Sequence, residues 1–214
     1  MYIKYHGHAC FEIGDSKKFV FDPHDGTSIG LPRPEPMGEV VFITHEHFDH
    51  NATQVVKGNF TTVREAKSGT VSGIKYESII QYHDDMKGKK RGEIRIYKVF
   101  LDGISFTHLS DLGHIPEKNA LEFLKGTDFL FIPVGSIYTI NGDQAADIVS
   151  MIKPKVAIPM HFYIQGSQLK LDKVDKFLSH FEKNKIKSVG KIKDFNKNDL
   201  PSNTDIWLFS VSNP

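Results

Sequence analysis

The stretch His45-Glu46-His47-Phe48-Asp49-His50 directly follows a short apolar run at residues 40–44. An unbroken apolar run of this length is typical of a strand buried on both faces. Side chains of an extended strand repeat every two residues, so the first two histidines are predicted to point the same way. The Asp49-His50 pair comes after the chain turns and can point to a second position. Four nitrogen and oxygen donors within six residues are what two adjacent divalent metals require. The alternative is a polar turn in which one histidine bonds the backbone.

Three more candidate ligands follow other strand-like runs of the sequence. They are His83 at the end of the run 73–83, Asp111 just after the run 104–107, and His161 after the run 156–159. Each of them alone is more often a hydrogen-bonded surface residue than a metal ligand. As a set in this order, they are expected to converge with the histidine motif on one edge of the packed sheets.

Strand-like runs dominate the first half of the chain, and helical and strand-like runs alternate in the second half. The predicted strands are residues 2–6, 10–13, 18–21, 40–43, 73–83, 93–101, 104–108, 129–133, 156–159 and 206–211. The predicted helices are residues 116–125, 145–152 and the apolar stripe at 171, 174, 178 and 181. Asp102-Gly103 is typical of a tight hairpin. This order predicts two packed sheets with helices on their outer faces.

The composition excludes several classes of protein. Of 214 residues, 39% are hydrophobic and 25% charged, which is enough apolar material to bury a core and excludes global disorder. The formal net charge of +1 gives no bulk attraction to nucleic acid or membranes. The single cysteine, Cys10, excludes an internal disulfide and a cysteine-rich zinc module. Since neither a secretory signal nor a membrane-spanning run is present in the sequence, the expected location is the cytoplasm.

Further motifs surround the candidate ligands in the order that a known enzyme family has. They are Gly7-His8-Ala9-Cys10-Phe11, the turn Asp22-Pro23, His108-Leu109-Ser110-Asp111 and Pro159-Met160-His161. Together with the HxHxDH motif, they resemble the metallo-β-lactamase superfamily, and within it the UlaG-like metal-dependent hydrolases. The resemblance covers nearly the whole chain. It implies an α/β protein with the four-layer αβ/βα sandwich of the metallo-β-lactamase fold, as one domain over residues 1–214.

The resemblance also implies two divalent metal ions per chain, with zinc as the first choice and manganese or iron as alternatives. Asp111 would bridge the two ions, and Asp49 would in addition orient the attacking hydroxide. A histidine at position 47, where the flavodiiron branch has glutamate, favours hydrolysis. The implied ligands are His45, His47 and His83 for the first metal, and Asp49, His50 and His161 for the second.

Four other residues are implied around these ligands. Asp22 is expected to orient a ligand histidine by a hydrogen bond. His8, His108 and His114 are expected to contact the ligands or to face the substrate. The alternative for each of the three is packing alone.

A basic segment, Met86-Lys87-Gly88-Lys89-Lys90-Arg91-Gly92, follows His83 closely. Its glycines free the backbone, and its four cations could receive a phosphate or carboxylate at the rim of the site. Arg91 is the first candidate because its planar fork suits anions, and Lys89 is the second. The alternative is a solvated hairpin tip.

These features predict a dinuclear metal-dependent hydrolase in which a metal-bridging hydroxide attacks a small anionic ester, lactone or phosphodiester. One alternative is a nuclease of the RNA- and DNA-processing branch, which the near-neutral charge disfavours. Another is a non-catalytic metal-binding scaffold or sensor, which the complete set of ligand positions disfavours. The predicted partner is a small-molecule substrate, without a membrane or nucleic acid, and self-association into a homo-oligomer stays open.

Overall fold

The computed structural model describes residues 1–211, and within them the chain forms two β-sheets. The first sheet has the strand order β13-β1-β2-β3-β4-β5, and the second has β12-β14-β11-β10-β9-β8-β7-β6. The strands are β1 (Tyr2–Gly7), β2 (Cys10–Gly14), β3 (Lys18–Phe21), β4 (Val40–Phe42), β5 (Thr61–Val63), β6 (Gly69–Val71), β7 (Ile74–Tyr82), β8 (Glu93–Leu101), β9 (Ile104–His108), β10 (Phe129–Pro133), β11 (Val156–Met160), β12 (Ile186–Gly190), β13 (Ile192–Asp194) and β14 (Asp205–Phe209).

Within residues 1–211, three α-helices pack on the outer face of the second sheet. They are α1 (Lys118–Leu124), α2 (Gly142–Ile152) and α3 (Asp175–Leu178). The helix α2 begins with a capping box, in which Asn141 and Gln144 satisfy each other's backbone amides. The outer face of the first sheet is covered by Val56 and Phe60, from a segment that contains the 3₁₀ turn Thr53–Val55. No helix within residues 1–211 is long and apolar enough to span a bilayer.

The main core lies between the two sheets and is rich in phenylalanine. In β10, Phe129 and Phe131 point into this core, while Leu130 and Ile132 point outward to the helices. Both sets are completely buried because the strand has a packed layer on each face. The structure thus confirms the predicted sandwich of two packed sheets, with its α-helices on the outer face of the second sheet.

The predicted elements differ from the structure mainly at the margins of the two sheets. Four strands, β5, β6, β12 and β13, lack a counterpart among the predicted runs, and they form the four outer edges of the sheets. The apolar stripe at 171–181 predicts a long helix, but α3 has one turn, Asp175–Leu178. Phe177, outside the stripe, is its fully buried residue. It contacts the beginning of α2 so closely that a Cβ on Gly142 would clash with the backbone of α3.

Candidate metal centre

The candidate ligands follow the C-terminal ends of strands that run in the same direction. The strands β3 and β4 are parallel, and so are β9, β10 and β11. One antiparallel strand separates β1 from β3 and β7 from β9, so these pairs also share a direction. The first sheet delivers His8, Asp22 and the HxHxDH motif to its edge. The second sheet delivers His83, Asp111 and His161 to the facing edge.

The chain turns sharply at four of these strand ends. His8, Asp22, Ser110 and His161 have φ angles of 55°, 39°, 56° and 53°, in the left-handed region. Side chains with a Cβ rarely adopt this conformation, and each instance costs on the order of 1 kcal/mol or more. Such strain persists only where the surrounding structure fixes the backbone, and it is typical of functional sites.

Asp111 is the centre of the cluster. Its Oδ2 atom lies 3.1 Å from Nε2 of His161 and 3.3 Å from Nε2 of both His50 and His83. The Nε2 atom of His45 is 3.9 Å away. One buried carboxylate oxygen is therefore within 4 Å of imidazoles that come from both sheets. This is the placement that a bridging carboxylate needs.

The remaining donors divide into two groups, each compact enough to hold one cation. His45, His47 and His83 offer three nitrogen atoms within 4.8 Å of one another, and we call them the three-histidine group. His8, Asp49, His50 and His161 offer donors within the same distance, and we call them the enclosed group because all four are buried. Asp111 contacts both groups. The structure thus brings together all seven ligands expected from the sequence.

Asp22 orients one histidine of each group. Its Oδ2 atom accepts hydrogen bonds from His50 Nδ1 at 2.9 Å and from Thr44 Oγ1 at 2.6 Å, and its Oδ1 atom accepts from the Thr44 amide at 2.8 Å. The Thr44 hydroxyl in turn accepts from His45 Nδ1 at 3.0 Å and from Ser110 Oγ at 2.6 Å. With their Nδ1 atoms engaged, His45 and His50 direct Nε2 toward Asp111, as an outer carboxylate does for metal-binding histidines.

The chemistry of these donors fits a divalent cation. Within residues 1–211, His50 Nε2 and Asp111 Oδ1 are buried without a hydrogen bond, and such atoms normally have a partner. Neutral imidazole nitrogens and carboxylate oxygens are ligands that zinc, manganese and iron accept. A cation between Asp111 and the histidines would satisfy these atoms.

Burial and charge set the protonation of the cluster. Burial, reinforced by His161, lowers the pKa of His8 to about 3, and burial with His50 lowers the pKa of His45 well below its ordinary value. For His50 burial is outweighed by Asp111 and Asp49, which raise its pKa. The histidines around Asp111 overcome its burial and hold the pKa of its carboxyl well below the usual range. The cluster therefore attracts cations, and a bound metal would replace the proton on His50.

Comparisons with known proteins agree with this geometry. Residues 2–161 match the sequence profile of the Beta-lactamase superfamily domain. A chain of known structure from Thermotoga maritima, assigned as a Zn-dependent hydrolase of the metallo-β-lactamase superfamily, is 30% identical. It has a TM-score of 0.81, with 97% of each chain covered. The protein belongs to the metallo-β-lactamase superfamily.

Two curated relatives extend the comparison. A UPF0173 metal-dependent hydrolase from Thermococcus onnurineus is 28% identical over 187 residues, which are 75% of this chain and 84% of that protein. One from Thermoplasma acidophilum is 27% identical over 185 residues, 75% of this chain and 82% of that protein. The short form of human tRNase Z shares 12% identity at a TM-score of 0.55, covering 76% of this chain and 92% of that one. This last likeness shows the fold alone.

The histidines that the superfamily resemblance places around the ligands have different surroundings. His8 lies in the site, where its Nε2 atom donates to Asp49 Oδ2 at 3.0 Å. His108 does not face a substrate, because it is fully buried and both ring nitrogens are used inside the core. Its Nε2 atom donates to the Ala9 carbonyl at 3.0 Å, and its Nδ1 atom accepts from the Ser110 amide at 3.1 Å. His108 thus packs in the core and holds the turn before Asp111.

The basic segment lies beside the three-histidine group and differs from a solvated tip. The buried carboxylate of Asp84 accepts hydrogen bonds from four backbone amides of residues 86–91, at 2.8–2.9 Å. Arg91 and His114 line a cavity of about 320 Å³ next to His83. Lys89 is exposed and does not line that cavity.

The sequence of this metallo-β-lactamase superfamily member did not point to several residues that support the site. Thr44 and Ser110 link Asp22 to His45, and Asp84 shapes the basic segment. Thr44 and Ser110 each directly precede a ligand, His45 or Asp111, in sequence. This adjacency is a weak signal that could have drawn attention to them.

Proposed function

We propose that this protein is a metal-dependent hydrolase that works with two divalent cations on a small-molecule ester, lactone or phosphodiester. The three-histidine group would hold one cation, Asp49, His50 and His161 would hold the other, and Asp111 would join the two. The observation that carries the proposal is the position of Asp111 Oδ2, within 3.3 Å of histidines from both groups. The names of the curated relatives, which are metal-dependent hydrolases, support it.

Bound cations would supply a nucleophile from water at neutral pH and would polarise the bond under attack. The protein's own residues position the reacting groups. Because Asp49 is ionised, with its pKa lowered by His50 and His8 in spite of burial, it can bind a cation and accept a hydrogen bond from the attacking water. His8 holds Asp49 in place by donating its Nε2 proton to Oδ2. In this arrangement His8 serves as a positioning residue, because a nitrogen that carries a proton cannot bind a metal.

The donor set favours zinc over the alternatives. Among the proposed ligands, His45, His47, His83, His50 and His161 are imidazoles, and Asp49 and Asp111 are carboxylates. Imidazole suits zinc and iron, whereas a set richer in carboxylate suits manganese. We therefore propose zinc as the first choice, with iron and manganese as alternatives. Membership of the UlaG-like subgroup within the superfamily stays a prediction from the sequence.

The test is elemental analysis combined with an activity screen of the purified protein loaded with zinc, manganese or iron. The screen uses sugar lactones, thioesters and phosphodiesters. We expect two metal equivalents per chain and hydrolysis that a chelator abolishes and added metal restores. The His161→Ala variant should lose metal and activity, and the matched control His180→Ala should retain both. His180 is suitable because it is exposed and bonds Asp143, outside the cluster. One equivalent per chain, or hydrolysis that persists with chelator, would contradict the proposal.

A further inference from the structure

A cavity of about 320 Å³ opens beside His83, on the side of the three-histidine group. Three parts of the chain form its wall: the segment after β7, the turn around His114, and the segment before α2 that contains Ile137 and Tyr138. Because a ligand candidate forms part of the wall, a molecule bound here would lie next to the metal centre.

Arg91 is the cation on this wall, and its position is fixed. Its Nη2 atom donates to the Ile137 carbonyl at 3.2 Å, and its guanidinium lies 5.4 Å from the centre of the Tyr138 ring. A guanidinium has five N–H donors in a planar fork. Among the described residues it uses one of them in that hydrogen bond, so the others remain for a ligand in the cavity.

His114 offers a second polar atom to the same cavity. Its Nδ1 atom donates to the Ile115 carbonyl at 2.9 Å. Its Nε2 atom is buried and has no hydrogen-bond partner within residues 1–211. Buried polar atoms are normally paired. A ligand that bonds Arg91 could also bond His114, because both residues line the cavity.

The backbone of the basic segment is already occupied by an internal anion. The Asp84 carboxylate accepts from the amides of Met86, Gly88, Lys90 and Arg91. The left-handed angles of Lys87 and Gly88, with φ of 56° and 77°, let these amides converge. Asp84 thus fixes the segment that carries Arg91, and an external anion must be bound by side chains.

We propose that this cavity receives an anionic group of the substrate, a carboxylate or a phosphate, with Arg91 as its cation and His114 as its second hydrogen-bond partner. The proposal rests on the hydrolase function proposed above and names the substrate class. The anionic group would be separate from the scissile bond and joined to it by a short linker that passes His83. Asp85 also lines the cavity, so its charge would limit the affinity for a doubly charged group.

The first test measures the binding of inorganic phosphate, and separately of succinate, to the full-length, metal-loaded protein by calorimetry. Arg91→Ala should raise the dissociation constant roughly 10–100-fold, since it removes a hydrogen bond to a charged group. Arg91→Lys should recover part of the affinity, because it keeps the charge but not the fork. Asp85→Asn should tighten phosphate binding.

Lys89→Ala is the matched control, because it removes the same charge from the same segment outside the cavity. Its dissociation constants should stay within about twofold of the wild-type values. Neither Arg91→Ala nor Lys89→Ala would change the affinity for phosphate bound at the metals. A difference in dissociation constant between the two variants therefore reports binding in the cavity. If Arg91→Ala and Lys89→Ala behave alike, or if the wild type binds neither anion, the proposal is overturned.

The second test compares two chromogenic esters, 4-nitrophenyl hydrogen succinate, which carries a carboxylate, and the neutral 4-nitrophenyl butyrate. Arg91→Ala should raise KM for the succinate ester roughly 10–100-fold with kcat little changed, and should leave the butyrate ester unaffected. Equal effects on both esters would contradict the proposal. If neither ester is hydrolysed by any variant while anion binding still depends on Arg91, the anion cavity stands, and the screen of lactones, thioesters and phosphodiesters decides the hydrolase function.

Discussion

The two halves of the candidate metal centre, the three-histidine group and the enclosed group, differ in access and in charge. The three-histidine group contains His47, which is exposed, and His83 lines the cavity beside it. The enclosed group is buried throughout and contains the carboxylate of Asp49. A carboxylate adds charge attraction for a cation, and burial hinders exchange with solvent. We therefore expect the enclosed cation to be held more tightly and the open cation to lie next to the substrate.

The largest effect is expected from Asp111→Ala, because both groups share this carboxylate. The variant should lose more than one of the two proposed metals, whereas His161→Ala should mainly deplete the enclosed group. Elemental analysis of the purified variants measures this. Asp147→Ala, on the exposed face of α2, is the control and should keep its full metal content. Equal single losses from Asp111→Ala and His161→Ala would contradict the shared role of Asp111.

Asp22→Asn is expected to lower the metal affinity of both halves, with a smaller effect than Asp111→Ala. Asp22 bonds His50 directly and His45 through Thr44, and removing an outer partner of this kind typically costs 10–100-fold in metal affinity. Thr44→Val separates the two paths, because it removes the acceptor for His45 and leaves the bond between Asp22 and His50. Competition titrations with a metal indicator should show two weakened sites in Asp22→Asn and one in Thr44→Val. Two equally weakened sites in both variants would show that the paths are not separate.

The two halves are also expected to differ in the rate at which they release metal, and this effect should be smaller than the losses of affinity described above. A chelator should remove the metals of the wild type in two phases, and the fast phase should come from the three-histidine group. His47→Ala should remove the fast phase, and His161→Ala should remove the slow phase. A time course with EDTA, followed by elemental analysis, measures both. A single phase in the wild type would mean that the exposure of His47 does not control exchange.

The central strands could be predicted from the sequence, and the sheet edges could not. In β4 and β10, every residue is buried, so the hydrophobic run alone identifies them. The edge strands β12 and β13 have mostly exposed or half-buried residues, and their runs carry no apolar pattern. Their pairing depends on a neighbour that is distant in sequence: β13 pairs with β1. Such contacts have no local signal.

The clustering of the candidate ligands could also be predicted, since the chemistry of a metal site restricts which residue types can serve. The contacts that support the candidate ligands could not be predicted. Ser110 reaches His45 across 65 positions, and Asp84 takes its role from the conformation of the segment that follows it. The glycines and cations of residues 86–92 predicted an external anion held by the cations, and the backbone amides of the same segment bond the chain's own Asp84. Reasoning from the sequence could not show that the amides were already in use.

The smallest expected effect concerns the acid sensitivity of the enclosed half. His24 lies behind it, with its ring 6.4 Å from that of His8. Its Nε2 atom donates to the His6 carbonyl at 3.1 Å, and its Nδ1 atom is buried without a partner within residues 1–211. A proton on Nδ1 would therefore have no acceptor, and burial lowers the pKa of His24 from 6.5 to about 4.

The unfolded chain thus takes up a proton near pH 6.5 that the folded chain refuses until about pH 4. The contribution of His24 to stability is complete above this range and falls with decreasing pH, by about 1 kcal/mol at pH 5.5. His24→Gln removes the titrating group and retains an amide donor for the His6 carbonyl. Urea unfolding of both proteins, with metals removed by the same chelator, should show a difference in unfolding free energy that shrinks by that amount between pH 7.5 and 5.5. If the difference in unfolding free energy does not change with pH, His24 takes up its proton as readily in the folded protein as in the unfolded chain. The enclosed half would then be less protected from acid than its burial indicates.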